Sequence, residues 1–223
     1  MKEGIWFSYQ NVLSYNALIN IILGERGVGK TYGFKEYAIK HYKKTNKQFV
    51  YLRRYESDLK ESVGNNEDMK FFEQVKDLFP TDTFSIKKSK KIIKLLINGE
   101  VMGYAIPLSA SDSIKSVSFE EVDTICYDEF QLKEGSNQHY LHSEVEILLD
   151  IIETIGRMRN NLRVFCLGNA ISISSPLFNY FDLTLPYNTE IKTFKGGLIL
   201  LCYIKNEKYR EDRIYRCRKT TES

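Results

Sequence analysis

The feature that most constrains this chain is a glycine-rich segment of eight residues near its start. The segment reads Gly24-Glu25-Arg26-Gly27-Val28-Gly29-Lys30-Thr31. It fits the Walker A pattern G-x-x-x-x-G-K-[ST], in which backbone N–H groups surround phosphate oxygens. An apolar, β-prone run at 17–23 precedes it and a helical pattern at 31–44 follows it, which is the context that a phosphate loop requires. All eight residues are therefore predicted to bind a nucleoside triphosphate, with Lys30 reaching the β- and γ-phosphates and the Thr31 hydroxyl holding Mg²⁺.

A pair of acids supplies the second half of the predicted site. The segment Val122–Tyr127 is typical of a buried strand, and Asp128 and Glu129 follow it directly. In nucleotide hydrolases an Asp at this position holds Mg²⁺, and a neighbouring carboxylate can polarise the attacking water. These roles for Asp128 and Glu129 favour a hydrolytic ATPase (a Walker B pair) over a small-molecule kinase, which needs no water-activating base. The alternative is that both acids are solvated loop residues.

Polar residues after the next predicted strand and helix are further candidates for catalysis. Asn169 follows the apolar run 162–167, where it either senses the γ-phosphate and orients water or simply makes a turn. Arg157 and Arg159 come at the end of a helix predicted over 143–158. Phosphoryl transfer needs a cation against the charge that develops in the transition state, and these arginines are candidates for it. Their ordinary role would be to bind carbonyl groups at the helix end.

Two more arginines, Arg53 and Arg54, directly follow a strand predicted at 48–52. Ligands of open α/β sheets bind beyond the carboxyl ends of the strands, so this pair lies at the predicted nucleotide edge. Together with Arg159, they are candidates for arginines that act in a lid or on a neighbouring subunit. The alternative is an ordinary surface feature.

The rest of the pattern predicts an α/β fold built on one sheet. A helix is predicted over 66–78, and two β-rich segments at 83–97 and 101–107 are separated by Asn98-Gly99, a strong hairpin signal. Strands that alternate with helices predict a mainly parallel central sheet flanked by helices. The hairpin predicts an antiparallel addition at one edge of that sheet.

Composition excludes several classes of protein. Apolar residues make up 43% and charged residues 27% of the chain, which is globular rather than disordered composition. No apolar run approaches the ~20 residues of a membrane span, so we expect neither a transmembrane segment nor a signal peptide. Four widely spaced cysteines are typical of small buried side chains rather than of disulfides or a zinc site. We expect one ATPase domain over residues 1–205 and a basic tail over 206–223.

Lysines crowd the predicted hairpin. Lys87, Lys88, Lys90 and Lys91 are candidate contacts to a DNA backbone, because closely spaced cations interact with phosphates. The mild net charge of +3 permits a nucleic-acid partner without requiring one. The alternative is that these lysines form a solvated face.

Together these residues resemble the DNA-packaging ATPases of φ29-like bacteriophages. The resemblance includes the arginine inside the phosphate loop, the strand end Arg53-Arg54-Tyr55, the segment Asp128-Glu129-Phe130 and the segment Cys166–Ala170. It implies a P-loop NTPase fold of the ASCE type, with ATP and Mg²⁺ as ligands. It also implies a homo-oligomeric ring, pentameric in the family, that sits at the portal of a procapsid and pumps double-stranded viral DNA inward.

The resemblance further implies roles and a location. The arginine that matches Arg157 would reach into the neighbouring subunit's site as a finger. The motor would act in the host cytoplasm, transiently at the portal vertex and without a membrane partner, and some relatives use a structural RNA as a ring scaffold. Relatives also carry a C-terminal nucleic-acid-binding domain, towards which the basic tail would lead. Two alternatives remain open at this point: another ASCE translocase, such as a plasmid-transfer ATPase, or a nucleotide-gated assembly protein without useful turnover.

Overall fold

In this computed structural model, the described residues are 7, 9–89, 91–114, 117–133, 135–157, 159, 161–169, 175–185 and 189–204. Within them the strands are β1 (Ile19–Gly24), β2 (Gln48–Arg53), β3 (Phe84–Ser89), β4 (Ile92–Ile97), β5 (Glu100–Pro107), β6 (Val122–Asp128), β7 (Arg163–Asn169), β8 (Ile191–Phe194) and β9 (Ile199–Ile204). The helices are α1 (Tyr9–Ser14), α2 (Lys30–Thr45), α3 (Glu56–Val63), α4 (Lys70–Glu73), α5 (Glu144–Gly156) and α6 (Pro176–Phe181). Short 3₁₀ segments span Lys76–Leu78, Leu108–Ile114 and Lys195–Gly197.

The described strands form one sheet in the order β3-β4-β5-β2-β6-β7-β1-β9-β8. The run from β5 to β9 in that order is parallel, whereas β3 and β4 at one edge and β8 at the other are antiparallel to their neighbours. The prediction of an α/β fold with a mainly parallel sheet is therefore confirmed. The antiparallel part is larger than the predicted single hairpin, because the segment 83–97 folds into two strands. Strand β7 lies between β1 and β6, which separates the two halves of the predicted site by one strand.

An apolar core lies on each face of the sheet. One core packs the sheet against α5 and α6, and the other packs it against α1, α2, α3 and α4. Strand β1 is buried along its whole length, which explains why it is a continuous apolar run in the sequence. Helices α2 and α5 and strands β1, β2, β6 and β7 lie close to their predicted positions. The two cores therefore hold these strands rigidly between layers of helices.

The predicted helix over 66–78 is wrong. The segment instead forms the short helix α4 and a 3₁₀ turn, and α3, which was not predicted, comes before it. The Asp68 carboxylate accepts a hydrogen bond from the Asn65 N–H at 2.7 Å, and the Asn65 side chain accepts one from the Glu67 N–H at 2.7 Å. Met69 has a left-handed backbone, with a φ of 35°. These local bonds satisfy backbone groups in a turn, so that a longer helix does not form.

The described cysteines are buried, as predicted. Cys126, Cys166 and Cys202 are free thiols on β6, β7 and β9. Burial raises the pKa of Cys166 and of Cys202 to about 12. The fourth cysteine lies outside the described residues, as do Lys90 and the predicted basic tail 206–223. None of the helices in the described ranges combines the length and the apolar character that crossing a membrane requires.

Candidate nucleotide site

The predicted site residues converge at one edge of the sheet. Because β1, β2, β6 and β7 are parallel, their carboxyl ends meet there. Each of these strands ends at a predicted site residue, namely Gly24, Arg53, Asp128 and Asn169. A cleft of about 600 Å³ opens beside them. Its lining includes Arg26, Gly27, Gly29, Lys30, Thr31, Tyr32, Gln74, Asp128, Glu129 and Asn169.

The predicted phosphate loop turns sharply into helix α2. Gly27 and Gly29 both have a φ of 84°, a left-handed conformation that a side chain would strain. The helix begins at Lys30, directly after the second of these glycines. The Tyr9 hydroxyl donates a hydrogen bond to the Lys30 carbonyl at 2.8 Å, which ties the end of the loop to α1. The loop therefore has the tight path that the glycine spacing predicts.

Lys30 is a buried cation at the end of the loop. Its Nζ donates to the carbonyls of Gly24 at 2.9 Å and Glu25 at 3.0 Å, and lies 3.5 Å from Oδ1 of Asn169. Burial lowers the pKa of Lys30 to about 8, while the nearby Asp128 acts in the opposite direction. At neutral pH the side chain therefore remains protonated. It lies beside Asn169, so these two predicted site residues are brought together.

Asp128 is the centre of a hydrogen-bond network. Both of its carboxylate oxygens lie 3.1 Å from Oγ1 of Thr31, and the Tyr51 hydroxyl donates to its Oδ2 at 2.6 Å. The N–H of Glu129 donates to its Oδ1 at 3.0 Å. Octahedral coordination of Mg²⁺ at 2.0–2.1 Å places adjacent ligand oxygens about 3 Å apart. The spacing of Thr31 and Asp128 thus fits two oxygen ligands of one Mg²⁺.

Glu129 presents its carboxylate to the cleft from a strained turn. Its φ of 53° lies in the left-handed region, and its side chain is 50% exposed. Arg53 donates from Nη2 to the Glu129 carboxylate at 2.7 Å, and its Nη1 lies 3.7 Å from Asp128. Burial acts to lower the pKa of Arg53, but Tyr51 and these two carboxylates raise it above its ordinary value. Arg53 is therefore a permanent cation that fixes both acids.

The other predicted arginines have different environments. Arg54 is buried, and its Nε and Nη2 donate to Glu144 at 2.7 and 3.0 Å. Arg159 donates to main-chain carbonyls of Gly156 at 3.1 Å and Phe119 at 3.0 Å, and the bond to Gly156, the last residue of α5, is the helix-end role that the sequence left open. Arg157 is exposed, and its side chain makes no hydrogen bond or ion pair with a described residue. Neither Arg54 nor Arg159 has a free guanidinium for a neighbouring subunit.

Arg157 lies near the amino ends of the parallel strands, whereas the cleft lies at their carboxyl ends. Helix α5 connects the carboxyl end of β6 with the amino end of β7, and Arg157 directly follows it. Its 13 residues, at about 1.5 Å each, span about 20 Å. The fold therefore does not bring Arg157 to the cleft of its own chain.

The described hairpin lysines lie on two faces of the sheet. Lys87 on β3 is directly opposite Lys94 on β4, and neither forms an ion pair with a described residue. Lys88 alternates to the other face, where its Nζ lies 3.4 Å from the carboxylate of Glu56. Lys91 lies in the exposed turn between the two strands. The candidate DNA contacts therefore do not form one surface.

Sequence reasoning missed Tyr51 and Lys35. Tyr51 and Arg53 are two residues apart on β2, so they share a face and both reach Asp128. The i, i+2 spacing of Tyr51 and Arg53, on a strand next to the one that ends at Asp128, could have identified both as contacts of that carboxylate. Lys35 is only 4% exposed, and its Nζ lies 4.9 Å from the ring centroid of Phe71 without an ion pair to a described carboxylate. Burial lowers the pKa of Lys35 to about 8.

Comparison with known families decides where the chain belongs. Residues 1–211 match the family of the podovirus DNA encapsidation protein (Gp16). The chain belongs to this Gp16 family. A DNA packaging protein of Bacillus phage B103 is 39% identical over 188 residues, covering 84% of this chain and 55% of the relative. That of Bacillus phage phi29 is 35% identical over 199 residues, covering 89% and 57%. The chain thus spans about half the length of these curated Gp16 relatives.

Solved structures agree with the Gp16 assignment. The crystal structure of the N-terminal domain of the DNA packaging ATPase from bacteriophage phi29 is 32% identical and superposes with a TM-score of 0.79, covering 92% of this chain and 98% of that one. The ATPase domain of the Thermus phage P74-26 large terminase superposes with a TM-score of 0.58 at 9% identity, covering 98% and 88%. The second likeness shows a shared fold alone. The chain therefore has the fold of these packaging and terminase ATPase domains.

Proposed function

We propose that this chain is the ATPase domain of a motor that moves double-stranded viral DNA into a procapsid. The observation that carries the proposal is the convergence of Lys30, Thr31, Asp128 and Glu129 at one cleft. The names of the relatives, DNA packaging protein and DNA packaging ATPase, support packaging over the plasmid-transfer alternative. The site of action would be the host cytoplasm, at the portal vertex.

We assign the domain to the ASCE class of P-loop NTPases. In this class an additional strand lies between the strand of the phosphate loop and the acidic strand, and a glutamate serves as the base. Strand β7 occupies that place between β1 and β6, and Glu129 follows Asp128 at the end of β6. Both features support the assignment.

The residues at the cleft divide the work of ATP hydrolysis. The loop N–H groups and Lys30 would bind the β- and γ-phosphates, while Thr31 and Asp128 would hold Mg²⁺, which neutralises phosphate charge when bound. Glu129 would accept the proton of the attacking water, and Arg53 positions its carboxylate. Asn169, beside Lys30, would sense the γ-phosphate.

Two substitutions test this proposal. Lys30→Ala should abolish tight ATP binding, because the loop loses its buried cation. Glu129→Gln should bind ATP normally but hydrolyse it at least ~100-fold more slowly, as expected for a lost general base. Lys40→Ala is the matched control, since Lys40 is an exposed lysine on the same helix. Near wild-type binding by Lys30→Ala would refute the site, and absence of multiple-turnover hydrolysis in the wild type would favour the assembly-protein alternative.

The position of Arg157 supports a ring in which subunits complete one another's sites. Arg157 is exposed, without a partner among the described residues, and about 20 Å from the start of α5. A cation there would act on the cleft of an adjacent subunit and not on its own. A pentamer at the portal, with or without a structural RNA as scaffold, is the assembly that we propose by family resemblance.

We propose that DNA contacts the sheet face that carries Lys87 and Lys94. Cross-strand neighbours have Cβ atoms about 5 Å apart, so two like charges there repel each other unless an anion lies between them. Lys91 adds charge at the nearby turn, whereas Lys88 is on the other face, paired with Glu56. The phosphate backbone supplies the complementary charge.

Salt dependence of DNA binding tests this surface. Substituting Lys87→Ser together with Lys94→Thr should reduce the slope of log affinity against log salt by about 1.8, the value for two lost phosphate contacts. The control is Lys40→Ser with Lys47→Ser, which removes two lysines that already have acidic partners. An unchanged slope in the hairpin variant would show that this face points away from DNA.

A further inference from the structure

A buried ion pair lies directly behind the nucleotide site. Arg54 and Glu144 are only 3% and 5% exposed, and two hydrogen bonds of 2.7 and 3.0 Å join them. The Tyr127 hydroxyl donates to Oε1 of Glu144 at 2.7 Å, and the Leu141 N–H donates to its Oε2 at 2.9 Å. Both carboxylate oxygens are therefore bound from two directions, which holds the Arg54 fork in one orientation.

The Arg54 guanidinium also binds Phe130, the residue that follows the candidate general base Glu129. Nη2 of Arg54 donates to the carbonyl of Phe130, the residue after Glu129. The Phe130 N–H donates in turn to the Leu167 carbonyl on β7 at 3.2 Å. Phe130 is thus fixed through its N–H by one strand and through its carbonyl by Arg54.

Fixing Phe130 matters because Glu129 is strained. A φ of 53° is uncommon for a residue with a side chain, and such strain persists only where the surroundings impose it. On one side of Glu129 its own N–H is bound by Asp128, and on the other Phe130 is held by Arg54. Relaxing the turn would swing the carboxylate away from the cleft.

We propose that Arg54 and Glu144 are positioning residues that hold Phe130 and so keep Glu129 aimed into the cleft. This inference rests on the proposed ATPase function. A buried ion pair by itself adds little stability over apolar residues of similar size, so stability alone does not account for it. The adjacent residues Arg53 and Arg54 then have complementary tasks: Arg53 binds the Glu129 carboxylate and Arg54 binds the backbone that follows it.

The test replaces the pair without leaving a buried charge. In the double variant Arg54→Met with Glu144→Leu, both charges are removed together, so the domain should fold. We expect ATP affinity within about twofold of wild type, because the phosphate loop is untouched, and kcat reduced by about 10- to 100-fold, as a misplacement of about 1 Å can cause. Tyr127→Phe, which removes one hydroxyl and retains both charges, should show a smaller fall in kcat of the same kind. Arg163→Met is the matched control, since Arg163 bonds to Leu162 and Asn16 away from the cleft.

Hydrogen exchange provides a readout that does not depend on activity. The Phe130 amide should exchange faster in the double variant than in wild type or in Arg163→Met. Wild-type kcat in a folded double variant, or an unchanged Phe130 exchange rate, would overturn the inference while leaving the ATPase proposal intact. If the wild type does not hydrolyse ATP, the proposed function fails, and the exchange result alone decides whether Arg54 holds the turn.

Discussion

The buried charge of Lys35 should lower the free energy of unfolding, and the substitution Lys35→Met measures by how much. The ammonium is almost fully buried over the Phe71 ring, and burial lowers its pKa from 10.5 to about 8. At about 1.4 kcal/mol per pKa unit, protonating Lys35 costs about 3 kcal/mol more in the folded protein than in the unfolded chain. Met fills a similar volume, so the variant should be more stable than wild type by about 3 kcal/mol at pH 7.

The gain should depend on pH in a defined direction. Below about pH 8, Lys35 is protonated in both the folded and the unfolded chain, so the full cost is present. Between about pH 8 and 10.5 the unfolded chain keeps a proton that the folded one has lost, so wild-type stability rises with pH. The advantage of Lys35→Met should therefore shrink across this range and vanish above it.

Urea unfolding at pH 7, 9 and 10.5, without nucleotide, measures this difference. Lys40→Met is the control, because Lys40 is an exposed lysine on the same helix and should change stability by less than about 0.5 kcal/mol. If Lys35→Met is less stable than wild type at pH 7, or if its advantage is the same at every pH, the argument from buried charge is wrong.

Two further predictions concern packing and assembly. Gly168→Ala should destabilise the domain by about 1–3 kcal/mol in urea unfolding, because the new Cβ would lie 2.5 Å from Oε1 of Gln131 and 2.7 Å from Cε1 of Phe130; wild-type stability would show that these neighbours move freely. Arg157→Ala should lose about 10³-fold in turnover with little change in ATP binding, and mixing it with Glu129→Gln should restore part of the ATPase rate. If mixed subunits stay inactive, Arg157 does not act on a neighbouring site.

The parts of the site that the sequence predicted depend on short-range patterns. The predicted phosphate loop, with its flanking strand and helix, lies in one continuous segment, and Asp128-Glu129 directly follows a predicted strand. Such features need no knowledge of distant contacts. The Asn98-Gly99 turn is of the same kind, and both of its residues have the positive φ that a tight hairpin requires.

What the sequence did not predict depends on contacts between distant residues. Arg54 and Glu144 are far apart in the chain, and nothing local marks either as buried. Lys35 fits the polar positions of an amphipathic helix, yet the Phe71 ring of α4 covers it. The failed helix over 66–78 has another cause: apolar periodicity there was real, but side-chain bonds from Asn65 and Asp68 turned the backbone.

Because the thiols on β6, β7 and β9 are buried, they should react very slowly with labelling reagents while the domain is folded. With a pKa of about 12, Cys166 and Cys202 each have only about one thiolate in ten thousand at pH 8, and the folded sheet covers almost all of both side chains. Their modification would therefore report opening of the sheet itself. A cysteine introduced at an exposed position such as Tyr180, which is 51% exposed, would react in the folded domain well before these buried thiols.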